Sequence, residues 1–387
     1  MSVTAAAGFK AVGLSAGIKP QERLDFAIVA ATDSAIGAAV FTINRAEAAP
    51  VTLSRSHLAS GPAVRAVVLN SGCANAGTGE AGMADAKATA VAAAEALGCA
   101  TEDILVCSTG GIGRPLPVER VLAGVVAAVP QLAAGPEAAT TAARAIMTTD
   151  TVPKESSFRG DGFTVGGMAK GAGMVRPDMA TMLVVLTTDA AASADRLKRV
   201  LRSAVEESFH ALNIDGCPST NDTVILLASG SSGVSPDEAA LEKAVQQVCW
   251  DLATQLAADA EGAGRVVTIE VVGAADDVTA RRAGRLAADS ALVRSAFFGG
   301  DPNWGRLLGA LGATDIDFDP MEFGVAYAGI DIAVAGTEVD HDRTALHHFI
   351  AEGDFTVTMT IGKGTGSARV LTTDLTPDYV NFNAEYS

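Results

Sequence analysis

Residues 170–183 read KGAGMVRPDMATML, and they lead into the apolar run Met182–Leu186. This run is short, rich in β-branched residues and followed by polar ones, a pattern that predicts a buried strand. The glycines before it permit unusual backbone angles, and Pro177 both fixes its own φ and pushes Arg176 out of the helical region. The stretch therefore predicts a constrained loop that delivers Thr181 to the start of a buried strand, a geometry suited to a nucleophile.

A simpler interpretation of the same residues is a glycine-rich turn before a core strand. Such turns are common, and a threonine fits a pleated surface without any chemical role. Residue types alone favour this interpretation for Thr181, so the case for a nucleophile depends on the order of residues here and on other motifs.

Composition limits the classes of protein to consider. The chain has 387 residues, enough for two or three domain-sized units or one large α/β body. Hydrophobic residues make up 49% and charged residues 19%, as in soluble globular proteins, and the net charge of −17 argues against nucleic acid or anionic membrane partners. No stretch reaches the roughly 18 apolar residues of a membrane span, and residues 1–19 do not resemble a secretion signal.

The cysteines and histidines indicate neither disulfides nor metal. Five cysteines are an odd number without close pairing, and the five histidines show no ligand spacing. We expect no metal and a reducing, cytoplasmic location.

Two predicted strands end in polar, glycine-rich loops. Residues 65–70 lead into the loop 71–79, which contains Cys73, and residues 104–106 lead into the loop 107–115. Ligand sites of α/β proteins gather in such loops. The second loop has no Walker lysine and no dinucleotide spacing, so an ordinary strand-to-helix turn is the alternative interpretation.

Local patterns predict several further elements. Residues 26–30 and 38–41 are strand-like segments on either side of polar residues, and an alanine-rich helix over 83–97 ends at Gly98. Ser235 is predicted to cap a helix that has Pro236 at its first position.

Three polar residues have plain structural interpretations as well as functional ones. Thr148 lies in a cluster typical of a cap or turn, and Lys170 is interpretable as a solvated loop lysine. Glu261 stands beside a helix-ending glycine, where a negative charge is mildly unfavourable and is usually solvated. The segment 300–306, GDPNWGR, is interpretable as a turn anchored by a tryptophan.

The order of these motifs resembles one family. KGAGM followed by PDMATML, together with at least four other motifs in the same order, resembles the ornithine acetyltransferase (ArgJ-type glutamate N-acetyltransferase) family. The resemblance runs from about Gly8 to Ser387. It implies an α/β (layered α+β) fold similar to N-terminal-nucleophile architecture, self-cleaved between Ala180 and Thr181 into two interleaved chains, Met1–Ala180 and Thr181–Ser387.

The resemblance also implies a reaction and the residues that perform it. Thr181 would take acetyl from N-acetylornithine and pass it to glutamate, giving ornithine and N-acetylglutamate in arginine biosynthesis. Thr109 and Gly110 would form the oxyanion hole, and the substrate contacts would be Thr148, Lys170, Thr181, Glu261, Asn383 and Ser387. No cofactor is implied, although some relatives accept acetyl-CoA as co-substrate, and relatives assemble as heterotetramers of two chains of each kind.

The freed threonine would need no partner residue to act as base. A terminal α-amine has a pKa of about 7.7–8.0, so an appreciable fraction is neutral near pH 7 and can take the proton of the adjacent hydroxyl. This explains a site without a histidine or carboxylate base.

Departures from the family pattern keep other functions open. Relatives usually carry asparagine at Cys73, Asp-Thr at Cys217-Pro218 and glycine at Ala260, and many end one residue later than Ser387. The alternatives are an N-terminal-nucleophile amidase or aminopeptidase, a non-catalytic amino-acid-binding protein, and a secondary-metabolism acyltransferase.

Overall fold

The structure, a computed structural model, describes residues 2–174 and 182–385. Helices and strands alternate along the chain, which confirms the predicted α/β class. The chain forms two compact units, which we call the first unit (Met1–Phe209 with Cys217–Leu256) and the second unit (His210–Gly216 with Ala257–Ser387). The first unit draws on both sides of residue 180, so these units differ from the two predicted cleavage chains, which stay a prediction.

The first unit is built on one large mixed sheet. Its strands and helices are β1 (Phe9–Leu14), β2 (Phe26–Phe41), α1 (Ala49–Ser60), β3 (Ala63–Cys73), α2 (Gly79–Leu97), β4 (Ile104–Gly111), α3 (Val118–Ala128), α4 (Pro136–Ile146), β5 (Lys154–Arg159), β6 (Thr164–Lys170), β7 (Leu183–Thr188), α5 (Ala194–Glu206), β8 (Thr223–Ala228) and α6 (Glu238–Ala258). The strand order is β4-β3-β2-β8-β7-β6-β5, and β1 also pairs with β2.

The strand predicted over Met182–Leu186 lies well inside this sheet. It is β7, all of whose residues are buried. β7 pairs antiparallel with β6, placing Leu183 opposite Lys170, and parallel with β8, placing Leu183 opposite Thr223. The structure therefore confirms a buried strand directly after the predicted nucleophile.

Two local predictions were wrong in detail. The segments 26–30 and 38–41 belong to one 16-residue strand, β2, whose pairing with β3 shifts between Ala30 and Ala35, where residues 32–34 are exposed. The helix expected to start at Pro236 begins at Glu238, and its cap is Asp237, whose Oδ1 accepts the Ala240 N–H at 2.7 Å. The helix ending at Gly98 is confirmed, with a left-handed φ of 65° at that glycine.

Helices cover both faces of the large sheet. Side chains of successive strand residues point to opposite faces. In β2, Ala27 and Val29 pack in the core that includes residues of α4, whereas Ile28 packs in the core formed with α2 and α3. Burial on both faces explains why β7 and β8 are apolar without alternation.

The second unit contains a separate sheet with its own hydrophobic core. Its core includes three neighbouring aromatic rings, Phe297, Tyr327 and Phe355, with centroids 5.5–6.5 Å apart. The strands are β9 (Val266–Ala274), β10 (Gly324–Tyr327), β11 (Ile330–Val334), β12 (Thr337–Glu338), β13 (Phe355–Thr360) and β14 (Gly366–Thr373), and they lie in the order β12-β11-β10-β13-β9-β14. The helices are α7 (Asp277–Asp289), α8 (Ala291–Phe298), α9 (Trp304–Gly312), α10 (Arg343–Glu352) and α11 (Pro377–Glu385).

The described ranges, 2–174 and 182–385, contain neither a candidate membrane span nor a candidate metal cluster. No helix there combines the length and apolar character required to cross a bilayer. Within the same ranges, no group of three or more His, Cys, Asp or Glu side chains is placed to hold a metal ion.

Candidate active site

The predicted oxyanion residues lie where two parallel strands end together. β3 and β4 pair so that Thr109 is opposite Ser71 and Gly110 is opposite Gly72. Gly110 has φ +132°, and a Cβ there would lie 2.4 Å from the carbonyl carbon of Gly72. Glycine at this position therefore lets the two strand ends approach closely and permits a backbone angle that other residues rarely adopt.

Thr109 and Lys170 meet in the interior of the first unit. Both residues are 1% exposed, and the Lys170 ammonium donates a hydrogen bond to Thr109 Oγ1 at 3.3 Å. An ammonium group can only donate, so the threonine oxygen is the acceptor and its hydroxyl proton is not used in this bond. The contact therefore leaves the Thr109 hydroxyl proton available to another acceptor, which is compatible with the predicted oxyanion hole.

A buried carboxylate joins the other two predicted segments of the site. Asp150 accepts the Thr148 N–H through Oδ2 at 2.8 Å and the Gly171 N–H through Oδ1 at 2.7 Å. Its Oδ1 also pairs with the Lys154 ammonium at 2.7 Å, with both side chains fully buried. The loop that carries Thr148 is thus connected to the residue directly after Lys170.

Positive charge keeps this carboxylate ionised. Burial alone would raise the pKa of Asp150, but the ammonium groups of Lys170 and Lys154 and the Gly171 N–H outweigh it and lower the pKa to about 2. The site therefore contains a negative charge at pH 7 that neutralises part of its lysine charge.

We expect Asp150→Asn to be strongly destabilising, because it removes the carboxylate charge that pairs with the buried Lys154 ammonium. The free energy of unfolding at pH 7 should fall by roughly 3–5 kcal/mol, measured by urea denaturation. Because the folded-state pKa lies below the unfolded value of about 3.9, this stabilisation is present above about pH 4 and is lost as the pH falls towards 2.

The matched control is the exposed ion pair of Arg199 and Glu238, whose atoms are 2.7 Å apart with side chains 60% and 44% exposed. Glu238→Gln should lower the free energy of unfolding far less than Asp150→Asn does, since solvent screens exposed pairs. Equal losses in the two variants would contradict a structural role for the buried pair.

Lys19 supports the Thr148 loop from the other side. Its ammonium donates to the carbonyl oxygens of Met147 at 2.6 Å and Leu24 at 3.1 Å. Burial and the charge of Arg23 lower the pKa of Lys19 to about 8. Lys19 therefore remains mostly protonated at pH 7 and adds a cation near the predicted substrate contact, Thr148.

Cys73, one of the departures from the family pattern, has a thiol side chain that is compatible with its surroundings. It is 4% exposed, and its Sγ donates to the carbonyl oxygen of Arg114 at 3.4 Å. Its own carbonyl accepts from the Asn70 side chain at 2.9 Å, and burial raises the pKa of the thiol. The loop is thus held by backbone and asparagine contacts that do not need an amide at Cys73.

Glu261 and Asn383 both belong to the second unit. Gly262 has φ +63°, and a Cβ there would lie 2.3 Å from the backbone nitrogen of Tyr379, so the Glu261 loop packs against the first turn of α11. Asn383 lies later on α11, where its Nδ2 donates to the Tyr379 carbonyl at 3.0 Å. The structure thus brings the Glu261 loop to the helix that carries Asn383.

Three predicted residues lie outside the described residues: Ala180, Thr181 and Ser387. Their roles stay predictions. The segment 300–306 has a structural role, since Asn303 Oδ1 caps α9 by accepting the Arg306 N–H at 3.0 Å and Trp304 packs against the second-unit core.

Sequence reasoning missed three residues that organise this region: Asp150, Asn221 and Asp222. Each is buried and uses its side chain to bind backbone groups of other segments. The available signal was an Asp or Asn directly flanking an apolar element, a pattern too common to identify a site alone.

Comparisons with known proteins agree with the motif order. A model of the ArgJ family matches residues 10–387. The chain is 50% identical to the arginine biosynthesis bifunctional protein ArgJ of Thermobifida fusca over 100% of both chains. It is 48% identical to the protein of the same name in Mycobacterium tuberculosis H37Rv, over 100% of this chain and 96% of the relative.

One similar solved structure is ornithine acetyltransferase from M. tuberculosis in complex with ornithine. The match has 44% identity and a TM-score of 0.43, and it covers 47% of this chain and 96% of the solved chain.

Proposed function

The chain belongs to the ArgJ family, and on that premise we propose that it transfers acetyl from N-acetylornithine to glutamate in arginine biosynthesis. The observation that carries this proposal is the buried contact between Lys170 and Thr109. Lys170 is the last residue of β6, which pairs directly with β7. A lysine fixed beside a hydroxyl donor suits a substrate that has both a carboxylate and a reacting carbonyl.

The active form would arise by self-cleavage. The Thr181 hydroxyl attacks the carbonyl carbon of Ala180, the peptide bond breaks, and its nitrogen takes a proton to become the α-amine of Thr181. Water then hydrolyses the resulting ester, which leaves Ala180 as a carboxylate and restores the hydroxyl. The product is an N-terminal threonine that begins two residues before β7.

Acetyl transfer would follow in two half-reactions. The Thr181 hydroxyl attacks the acetyl carbon of N-acetylornithine while the α-amine takes its proton, and that proton then passes to the departing ornithine amine. The acetyl ester is attacked by the amine of glutamate, which releases N-acetylglutamate and returns a proton to the threonine oxygen. Each half-reaction passes through a tetrahedral oxyanion, stabilised by the Thr109 hydroxyl and the Gly110 N–H.

The remaining predicted residues would bind substrate. In this proposal the Lys170 ammonium meets a substrate carboxylate, and Thr148 is held for contact by Asp150. Glu261 would bind the charged amine of the amino acid, and Asn383 would add a hydrogen bond. Acetyl-CoA use, contact by Ser387 and the heterotetramer stay predictions.

Intact-mass measurement of the purified protein tests the proposal. We expect two fragments that meet at Ala180/Thr181, and the fragment beginning at Thr181 should gain one acetyl group when N-acetylornithine is added. Glutamate should remove that group and form N-acetylglutamate. Release of acetate and ornithine at a rate independent of glutamate would instead indicate an amidase, and an uncleaved but fully active chain would exclude the mechanism.

A further inference from the structure

The dipeptide Asn221-Asp222 precedes β8 and is buried in the first unit, with 4% and 0% of the two residues exposed. Neither residue has a role in the function proposed above. The Asp222 side chain binds the backbone of Met182, and the Asn221 side chain binds the backbone of Ala74 and Ser108.

Asp222 holds the residue that follows the predicted nucleophile. Its Oδ1 accepts the Met182 N–H at 2.9 Å, and its Oδ2 accepts the Ser219 N–H at 3.2 Å. The Met182 carbonyl in turn accepts the Thr223 N–H at 3.1 Å. Both polar backbone groups of Met182 are therefore fixed to the start of β8.

Asn221 holds the peptide that precedes the predicted oxyanion residues. Its Nδ2 donates to the carbonyl oxygens of Ser108 at 2.8 Å and Ala74 at 2.6 Å. The Ser108 carbonyl belongs to the peptide bond that contains the Thr109 nitrogen, so its orientation sets that of Thr109. One side chain thus ties the ends of β3 and β4 to the start of β8.

We propose that Asn221 and Asp222 are positioning residues that fix the start of β7, directly after Thr181, relative to the oxyanion turn at Thr109. This inference rests on the proposed function, because it requires Thr181 to be the nucleophile and the turn at Thr109 to stabilise the oxyanion. Adjacent residues of one chain make the connection short, so a shift at one end moves the other. Burial raises the pKa of Asp222, against the opposing effect of its two N–H donors and the charge of Lys170.

The test compares Asp222→Ala with Asp189→Ala in the full-length chain. Asp189 is the matched control: it follows β7, is 6% exposed, and accepts the N–H groups of Thr164 at 2.7 Å and Ala7 at 3.1 Å. Both substitutions remove a buried carboxyl that binds two backbone amides, but only Asp222 binds the segment next to Thr181. Tm, the rate of self-cleavage, and kcat and KM of the cleaved fraction are measured for each.

We expect Asp222→Ala to lower both the cleavage rate and kcat by about 10–100-fold, because small misplacements of reacting groups are costly. The KM for N-acetylornithine should stay within about twofold, since the predicted substrate contacts Thr148, Lys170 and Glu261 do not depend on Asp222. Asp189→Ala should lower Tm without slowing either step by more than about twofold. Asp222→Asn retains the volume and one acceptor oxygen, so it should recover part of the loss and serves if the alanine variant does not fold.

Asn221→Leu should reduce kcat in the same way, because it removes the bonds to the Ser108 and Ala74 carbonyls while keeping the side chain's approximate size. Equal cleavage rates and kcat in the Asp222 and Asp189 variants, with the wild-type protein active, would overturn this inference alone. A wild-type protein that neither cleaves nor transfers acetyl would overturn the proposed function as well.

Discussion

Thr181→Ala is expected to give a single uncleaved chain without acetyltransferase activity. The substitution removes the hydroxyl that attacks Ala180 and, after cleavage, the acetyl carbon, so neither step has a nucleophile. The rate of N-acetylglutamate formation should fall by at least about 10⁴-fold, as when a nucleophile is deleted from other acyl-transfer sites. Intact mass and product formation are measured on the same preparation.

Thr181→Ser is the matched control, because it retains a hydroxyl at the same position. We expect it to cleave and to transfer acetyl, more slowly than the natural protein. Substantial acetyl transfer by uncleaved Thr181→Ala would show that the nucleophile is another residue.

Thr109→Val is expected to lower kcat by about 10²–10³-fold, the usual loss for one oxyanion donor. Valine has nearly the shape of threonine, so the change removes a donor hydroxyl and the acceptor for Lys170 while leaving the packing of β4 intact. The measurement is kcat per cleaved molecule, which separates a loss in transfer from a loss in self-cleavage.

Two further variants show whether the loss of kcat is due to the Thr109 hydroxyl itself. Thr187→Val makes the same change at another buried threonine, whose hydroxyl donates to the Val3 carbonyl at 2.8 Å, and it should leave kcat within about twofold. Thr109→Ser restores a hydroxyl and should recover most of the activity. A kcat for Thr109→Val equal to that of Thr187→Val would exclude an oxyanion role for Thr109.

Much of the first unit followed from local patterns. The unbroken apolar run after Thr181 predicted β7, and its burial on both faces by neighbouring layers is the physical reason that it lacks alternation. Gly98 predicted the end of α2, because glycine alone enters the left-handed region at low cost. The polar exposed residues within β2 were misleading, since a bulge there lets the strand continue past them.

The candidate site was predictable only in part. Motif order gave Thr109, Gly110, Thr148 and Lys170, and the structure joins Lys170 to Thr109 directly. It did not give Asp150 or the pair Asn221-Asp222, because the partners that connect them to distant segments lie between 21 and 147 positions away along the chain. Such contacts depend on tertiary packing, which short sequence patterns do not encode.

The strand order of the large sheet determines how strongly the two fragments of the proposed cleavage at residue 180 would hold together. β7 and β8 follow residue 180 in the chain, yet they lie between β2 and β6, which precede it. Pulling the fragments apart would strip the backbone hydrogen bonds from two strand pairs at once and expose apolar surface. The two fragments of the proposed cleavage would therefore remain bound to each other, and two gene copies damaged in opposite halves should fail to complement each other by exchanging fragments between folded molecules.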